Sequence, residues 1–308
     1  MKHALVCPGH PEAPLHATEH GLLCSDPACP HSEKTNAFRS VDGVPVVISE
    51  IICDTLCDPA QVQTYVPRAS STLDRVKKML VGESGVTKAN CDRFVSLLKA
   101  DADRPRILII GSGERGRGTG TLWDADDIDR LGVDIYKSDS VDVVCDAHYL
   151  PFAAGSFDGV WIQAVLEHVV EPAVVVAEIH RVLKPEGIVY AETPFMQQVH
   201  EGPYDFTRFT VTGHRYLFRD FSLIDMNGNG GAEVALAWSL KYFFWAVFRN
   251  AKLAKFLGIV AKVLLRPLGQ LASKASLYDS PSGTFFLGRR SDTRIRHKDL
   301  PGLYKGLM

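Results

Sequence analysis

The chain has 308 residues, 46% of them apolar and 23% charged, with a formal net charge of −2. This balance fits a folded globular protein with room for one large domain or two ordinary ones. It argues against a chain held to nucleic acid by bulk charge. No uninterrupted apolar run reaches the ~18 residues that a membrane span needs. The opening MKHALVCPGHP has no apolar core for a secretory signal, so a cytoplasmic setting with reduced cysteines is expected.

Residues 1–50 read as a unit of their own. Cys7-Pro-Gly-His10, then Cys24 and Cys29, supply two pairs of soft or borderline ligands across a short polar stretch, as a tetrahedral zinc site needs. A module this small buries little apolar surface, so Zn2+ would supply much of its folding energy. His31 competes for one of the four places. The stretch FRSVDGVPVVI predicts a strand, a turn at Asp42-Gly43 and a second strand. Residues 51–103 read as a helical connector. One helix is expected from Ser71 or Thr72 through Leu80, and another from Asn90 with Phe94, Leu97 and Leu98 on one face. Cys53 and Cys57 have no second pair nearby and read as buried thiols.

From residue 104 the pattern alternates between strand and helix. Strands are predicted at 107–110, 131–135, 141–145, 157–163 and 187–193. A helix is predicted over 172–183, where Val175, Val176, Ile179 and Leu183 share a face. Such alternation implies a parallel sheet covered on both sides, with ligands beyond the carboxyl ends of its strands. The first strand runs into Gly111, Gly113 and Gly116, a G-x-G-x-x-G turn that lets a ligand approach the backbone. About 20 residues on, Asp134 ends a second apolar run, where a carboxylate accepts hydrogen bonds from ribose hydroxyls.

The succession GSGERG, VD at 133–134, CDAHYLPF at 145–152, SFDGVWIQAVLEHV at 156–169 and IHRVLKPEGIVYAETP at 179–194 resembles a class I S-adenosylmethionine-dependent methyltransferase over residues 104–225. The resemblance implies a Rossmann-like α/β sheet with helices on both faces. It also implies S-adenosyl-L-methionine as cofactor, with Gly111, Ser112, Gly113, Glu114 and Gly116 along its methionine and ribose part. Asp134 and Ile135 would then stand at the ribose, Asp146, Ala147 and His148 at the adenine, and Gln163 and Val165 under the sulfonium. The family's usual acid two positions before the first glycine is Ile109 here, and Glu114 is the expected substitute. The glycine spacing alone would equally suit a nicotinamide enzyme, in which Asp146 and the Leu166-Glu167-His168 segment have no obvious role. Residues 1–50 resemble the zinc-ribbon module that precedes some bacterial methyltransferases.

After the fifth strand, His200, Tyr204, Asp205 and Arg208 crowd one Pro- and Gly-containing loop. It resembles the H-x-x-P-x-D-x-x-R-[FY]-T signature of bacterial methyltransferases of surface-glycan clusters. His200 and His168 are the candidate bases, since imidazole suits proton transfer near neutral pH. Asp205 and Arg208 stand beside them as catalytic candidates or as an i, i+3 ion pair shaping the loop. His180 reads as structural.

Residues 226–290 turn glycine-rich at 227–231 and then change character. Between Val234 and Tyr278 there are seven basic residues and no acidic one. On a continuous helix the first six fall in one sector, so 236–271 reads as an amphipathic cover that could also lie on an anionic membrane surface. GTFFLGR, at 283–289, is expected as a final strand and 291–308 as a polar tail. These readings converge on O-methylation of a sugar, a lipid-linked glycan or a related glycoside, at the inner face of the membrane if the cover binds lipid. The rival enzyme reading is RNA methylation through the ribbon, against which residues 1–50 carry little positive charge. The non-enzyme reading is a cofactor-binding scaffold, prompted by Ile109.

Overall fold

The computed structural model of the chain describes residues 4–62 and 85–307. The helix expected from Ser71 or Thr72 lies outside them. A small antiparallel sheet comes first, made of β1 (Val6–Cys7), β2 (His10–Thr18) and β3 (Gly21–Cys24). The next pair is β4 (Ser40–Val41) and β5 (Val44–Val47). Asp42 and Gly43 between them have φ of 47° and 82°, the left-handed pair that a two-residue hairpin turn requires.

The large sheet is built from β6 (Arg106–Ile110), β7 (Asp129–Asp134), β8 (Val143–Cys145), β9 (Phe157–Gln163), β10 (Leu183–Pro194), β11 (Phe221–Gly230) and β12 (Gly283–Arg290). Its nine strands run in the order β11-β12-β10-β9-β6-β7-β8-β5-β4. The hairpin of β4 and β5 therefore does not simply close the small module. β5 pairs in parallel with β8, Val46 opposite Val144, and extends the large sheet. From β5 to β10 the neighbours are parallel, and β12 runs antiparallel between β10 and β11. The strand order turns back at β6, so the crevice for a ligand opens beyond the carboxyl ends of β6 and its neighbours.

All five predicted strands are present, 157–163 with the bounds of β9 and the others with shifted ends, and GTFFLGR lies within β12. Within the glycine-rich 227–231 stretch, Asn227 to Gly230 continue β11. Glycine serves there for close approach: a Cβ on Gly228 would lie 2.6 Å from Pro281 Cβ, and one on Gly230 2.3 Å from Ser282 Oγ.

Side chains alternate across the sheet with the period of two that a strand imposes. Leu108, Ile110, Val160, Ile162, Val189 and Ala191 join one core, and Ile107, Ile109, Trp161, Ile188 and Tyr190 join the other. Helix α1 (Gly85–Asp101) covers the second core with Cys91, Phe94, Val95 and Leu98, assisted by Leu122 of α2 (Gly120–Asp124). Asn90 does not open α1 but lies inside it, its amide donating to Tyr190 Oη at 3.4 Å. Helix α3 (Pro172–Val182) and α4 (Val211–Leu217) cover the first core. That core also takes in Leu5, Leu22 and Phe38, so the small sheet and the large one share apolar packing.

The basic stretch forms two helices, α5 (Ala232–Phe248) and α6 (Ala251–Gly269), packed on each other. Arg249 breaks the run in the left-handed conformation, φ 49°, and Asn250 Oδ1 caps α6 by accepting from Lys252 N and Leu253 N, both at 3.1 Å. The single-helix projection of its charges therefore does not hold across residue 249.

Candidate active site

Beyond the carboxyl ends of the parallel strands lies a cavity of about 1830 Å³. Gly111, Gly113, Glu114, Gly116, Asp134, Ile135, Asp146, Ala147, His148, Gln163 and Val165 all line it. Ser112, the remaining member of that predicted set, is fully buried beneath the loop, its hydroxyl donating to Val133 O at 3.3 Å.

The turn after β6 needs its glycines. Gly111 has φ 79°, and a Cβ there would sit 2.2 Å from Val165 Cγ2. A Cβ on Gly113 would meet Asp134 Oδ2 at 2.8 Å. That carboxylate is built into the loop: Oδ2 accepts from Gly113 N at 2.7 Å, and Oδ1 from Ile135 N at 2.7 Å and Tyr136 N at 3.3 Å. Burial pushes the Asp134 carboxyl up, opposed by these three amides. A carboxylate has about four lone-pair sites, so capacity remains on Oδ2 for a hydroxyl donor.

Asp146 is held on both sides. Its Oδ1 accepts from His148 N at 2.9 Å and lies 2.6 Å from His148 Nδ1, and Oδ2 accepts from the Thr55 hydroxyl. Burial raises this group, but the hydrogen bonds from His148 and Thr55 outweigh it and hold the carboxyl below its ordinary value. Thr55 and Cys57 also line the cavity, so the segment that follows the small module forms one of its walls. Cys53 and Cys57 are half-buried there rather than fully buried.

Ile109 explains the missing acid only in part. It packs in the core under α1 and is 4% exposed. Glu114 sits exposed on the loop. A different acid reaches the cavity from the end of β10 on the face that Ile109 occupies: Glu192, which accepts from Tyr190 Oη at 2.7 Å and Thr87 Oγ1 at 3.0 Å. Burial raises its carboxyl. Nothing in the linear pattern marks Glu192, because its neighbours come from β9, β11 and α1.

The candidate catalytic residues divide. His168 lines the cavity, whereas His200, Asp205 and Arg208 lie behind that wall. Arg208 clasps Asp205 with two nitrogens and holds its carboxyl down to about 2. Asp205 Oδ2 also accepts from His200 N at 2.8 Å. These contacts shape the loop, as the ion-pair reading of Asp205 and Arg208 expects. His180 contacts Ser291 O at 3.1 Å, away from the cavity. Between His168 and His200 stands Glu167, which the sequence reading passed over. It is fully buried, and burial pushes its carboxyl up to about 8.

In the small module Cys7, His10, Cys24 and Cys29 place their ligand atoms within 4.8 Å of one another. Cys7 Sγ is 3.8 Å from Cys29 Sγ and 3.7 Å from His10 Nδ1. The edge of a tetrahedron with Zn–S of 2.3 Å is about 3.8 Å, so the set has the size of a zinc site. His31 is otherwise engaged: its ring nitrogens lie 2.6 Å from Asn36 O and 2.6 Å from Ser49 Oγ, and the ring stacks on Phe38.

The hairpin of α5 and α6 roofs the cavity with Val234, Trp238, Lys262 and Arg266. Its outer face is apolar: Phe243, Trp245, Phe256 and Leu264 are each more than half exposed. No helix among the described residues is long and apolar enough to cross a membrane.

Comparison with known proteins agrees with this geometry. Residues 110–191 match the family model described as a methyltransferase domain. The biotin biosynthesis bifunctional protein of Cellvibrio japonicus is 31% identical over 150 residues, which is 45% of this chain and 28% of that protein. The chain thus spans little more than a quarter of this curated relative. Among solved structures, an S-adenosylmethionine-dependent methyltransferase of Archaeoglobus fulgidus aligns over 71% of this chain and all of its own, at 16% identity and a TM-score of 0.43. Phosphoethanolamine N-methyltransferase 2 of Haemonchus contortus aligns over 73% of this chain and 58% of its own, at 18% identity and a TM-score of 0.42. At these scores neither structure bears on the substrate. The matched segment contains the glycine turn and both carboxylate loops, and over those residues the chain is similar to a methyltransferase domain.

Proposed function

We propose that this protein is an S-adenosylmethionine-dependent methyltransferase whose acceptor is an oxygen of a sugar, a lipid-linked glycan or a related glycoside. One observation carries the reading: the bare glycine turn, Asp134 and Asp146 converge on a single cavity. When bound there, S-adenosylmethionine supplies a methyl group already activated on a sulfonium. The chain's own work is to bind, orient and exclude water.

In this reading the backbone of Gly111 to Gly116 lies along the methionine and ribose part, and Asp134 accepts from the ribose. Asp146 keeps His148 and the Thr55 segment in place around the adenine. Glu192 supplies the negative charge that Ile109 cannot, opposite the cofactor's ammonium group. A nearby cation favours its ionised form and offsets the cost of burial. The wall at His168 is where the acceptor hydroxyl is placed, beneath the roof of α5 and α6. Zn2+ is held by Cys7, His10, Cys24 and Cys29 as a closed structural site. The exposed apolar face of the hairpin, flanked by Lys252 and Arg249, rests on anionic lipid and presents the cavity to a lipid-linked acceptor.

Calorimetric titration of the full chain with S-adenosylmethionine tests the cofactor. Micromolar binding is expected, and its absence removes this reading and the RNA methylation rival together. Glu192→Gln is expected to weaken binding about tenfold, equivalent to about 1.4 kcal/mol. Co-sedimentation with anionic vesicles and with RNA at low salt separates the acceptor classes. RNA retention without vesicle binding favours the ribbon-dependent rival.

A further inference from the structure

We infer that Glu167, His168 and His200 form a second metal site, for a divalent cation of zinc-like chemistry, set in the cavity wall and distinct from the cysteine cluster. Their ligand atoms lie within 4.8 Å of one another. His168 Nε2 is 3.6 Å and His200 Nε2 3.8 Å from the same Glu167 oxygen, Oε1. These distances are a few tenths of an ångström above the ~3.4 Å edge of a tetrahedron with metal–ligand bonds of about 2.1 Å.

The hydrogen bonding behind these atoms leaves a gap that a cation fills. Glu167 is 0% exposed, and neither of its oxygens receives a hydrogen bond from the described residues. A buried carboxylate without a donor is among the costlier arrangements in a protein interior. The imidazole beside it does not supply the donor. His168 Nδ1 lies 2.6 Å from Tyr204 O, and a carbonyl only accepts, so Nδ1 carries the proton. In the neutral ring Nε2 then presents its lone pair to Glu167. His200 also presents Nε2 to Glu167, while its Nδ1 lies 3.3 Å from Asp205 Oδ2 without a hydrogen bond between them.

The Nε2 lone pair of His168, the Nε2 of His200 and one oxygen of Glu167 thus converge. His168 has the arrangement that metal-bound histidines commonly have behind them, the other ring nitrogen held by a carbonyl. Two imidazoles with one carboxylate suit zinc or iron better than magnesium or calcium. Three protein ligands leave a position for a small oxygen ligand, and His168 already borders the cavity. The cation would meet an acceptor hydroxyl there and make it more acidic, its proton passing to water in the cavity in place of a free imidazole base.

The full chain, stripped with chelator and reconstituted with Co2+, distinguishes the two sites by ligand type. Thiolate ligands give an intense near-ultraviolet charge-transfer band, and a site of nitrogen and oxygen ligands does not. Elemental analysis of wild type is expected to return two equivalents of metal. Cys24→Ser is expected to lose the thiolate band and one equivalent. Glu167→Gln and His200→Ala are each expected to lose one equivalent and keep that band. Retained thermal unfolding in Glu167→Gln shows that the loss is not misfolding. Two equivalents in both of those variants, or a single equivalent in wild type that Cys24→Ser abolishes, overturns the inference. The stoichiometry is read without cofactor, so failure to bind S-adenosylmethionine leaves this test unchanged.

Discussion

At Asp134 three backbone amides already point at one carboxylate, so the group organises the loop before any ligand arrives. Asp134→Asn removes the charge and keeps one oxygen, but sets an NH2 donor against the amide or amides on the other side. We expect S-adenosylmethionine affinity to fall by 10- to 100-fold, about 1.4 to 2.8 kcal/mol, together with a lower melting temperature, read by calorimetry and thermal unfolding. His214 makes the opposite kind of prediction, on stability alone. It is wholly buried, and burial holds its imidazole down to about 3, against 6.5 unfolded. Below pH 6.5 the unfolded chain binds the extra proton and the folded chain does not. Stability is therefore lost as pH falls from 6.5 towards 3. His214→Gln removes that proton, so the wild-type melting temperature should drop more steeply between pH 7 and 4 than the variant's. Equal slopes would contradict the assignment. The glycines, Asp134 and Asp146 were legible because each lies in a short string whose chemistry is local. Glu167 and Glu192 were not, since an acid gains its meaning from burial and from partners on other elements.

The elements most open to test are α5 and α6. Their apolar outer faces end in Trp245 and Phe248 on one helix and begin at Leu253 and Phe256 on the other, all exposed. An exposed apolar surface of this kind marks an interaction site more often than a solvated one. Phe256→Asp is expected to reduce binding to anionic vesicles by about tenfold in co-sedimentation while leaving cofactor binding intact. A variant that binds vesicles like wild type rules out lipid contact through this face. Composition announced the basic, acid-free stretch. It could not locate the break, because an arginine in the left-handed conformation and an asparagine cap are common residues doing local work. The same limit applied to β11, whose glycines gain their purpose only from β12 and the 277–282 segment packed against them.

Across the whole molecule, the small module and the segment that follows it are joined to the large sheet and its cavity by packing and by hydrogen bonds. Val6 N donates to Pro151 O at 3.0 Å, Leu5 and Phe38 enter the large core, and Thr55 donates to Asp146. Removing metal from the cysteine cluster should therefore act at a distance. Chelation, or Cys24→Ser, is expected to lower the melting temperature and to weaken S-adenosylmethionine binding several-fold, through the loosened Thr55 wall. Unchanged cofactor affinity in metal-free protein would show that the two parts are energetically separate. The amino-acid order by itself determined the alternating strands and helices, the glycine turn with its two acids, and the candidate group Cys7, His10, Cys24 and Cys29, with His31 left as a rival for one place. These depend on periodicity and spacing along one segment. Only the tertiary structure decided that the β4–β5 hairpin joins the large sheet, that α5 and α6 form a roof, that Glu192 reaches the cavity, and that Glu167, His168 and His200 meet in its wall. Those outcomes depend on which distant segments share a core, and no local pattern records that.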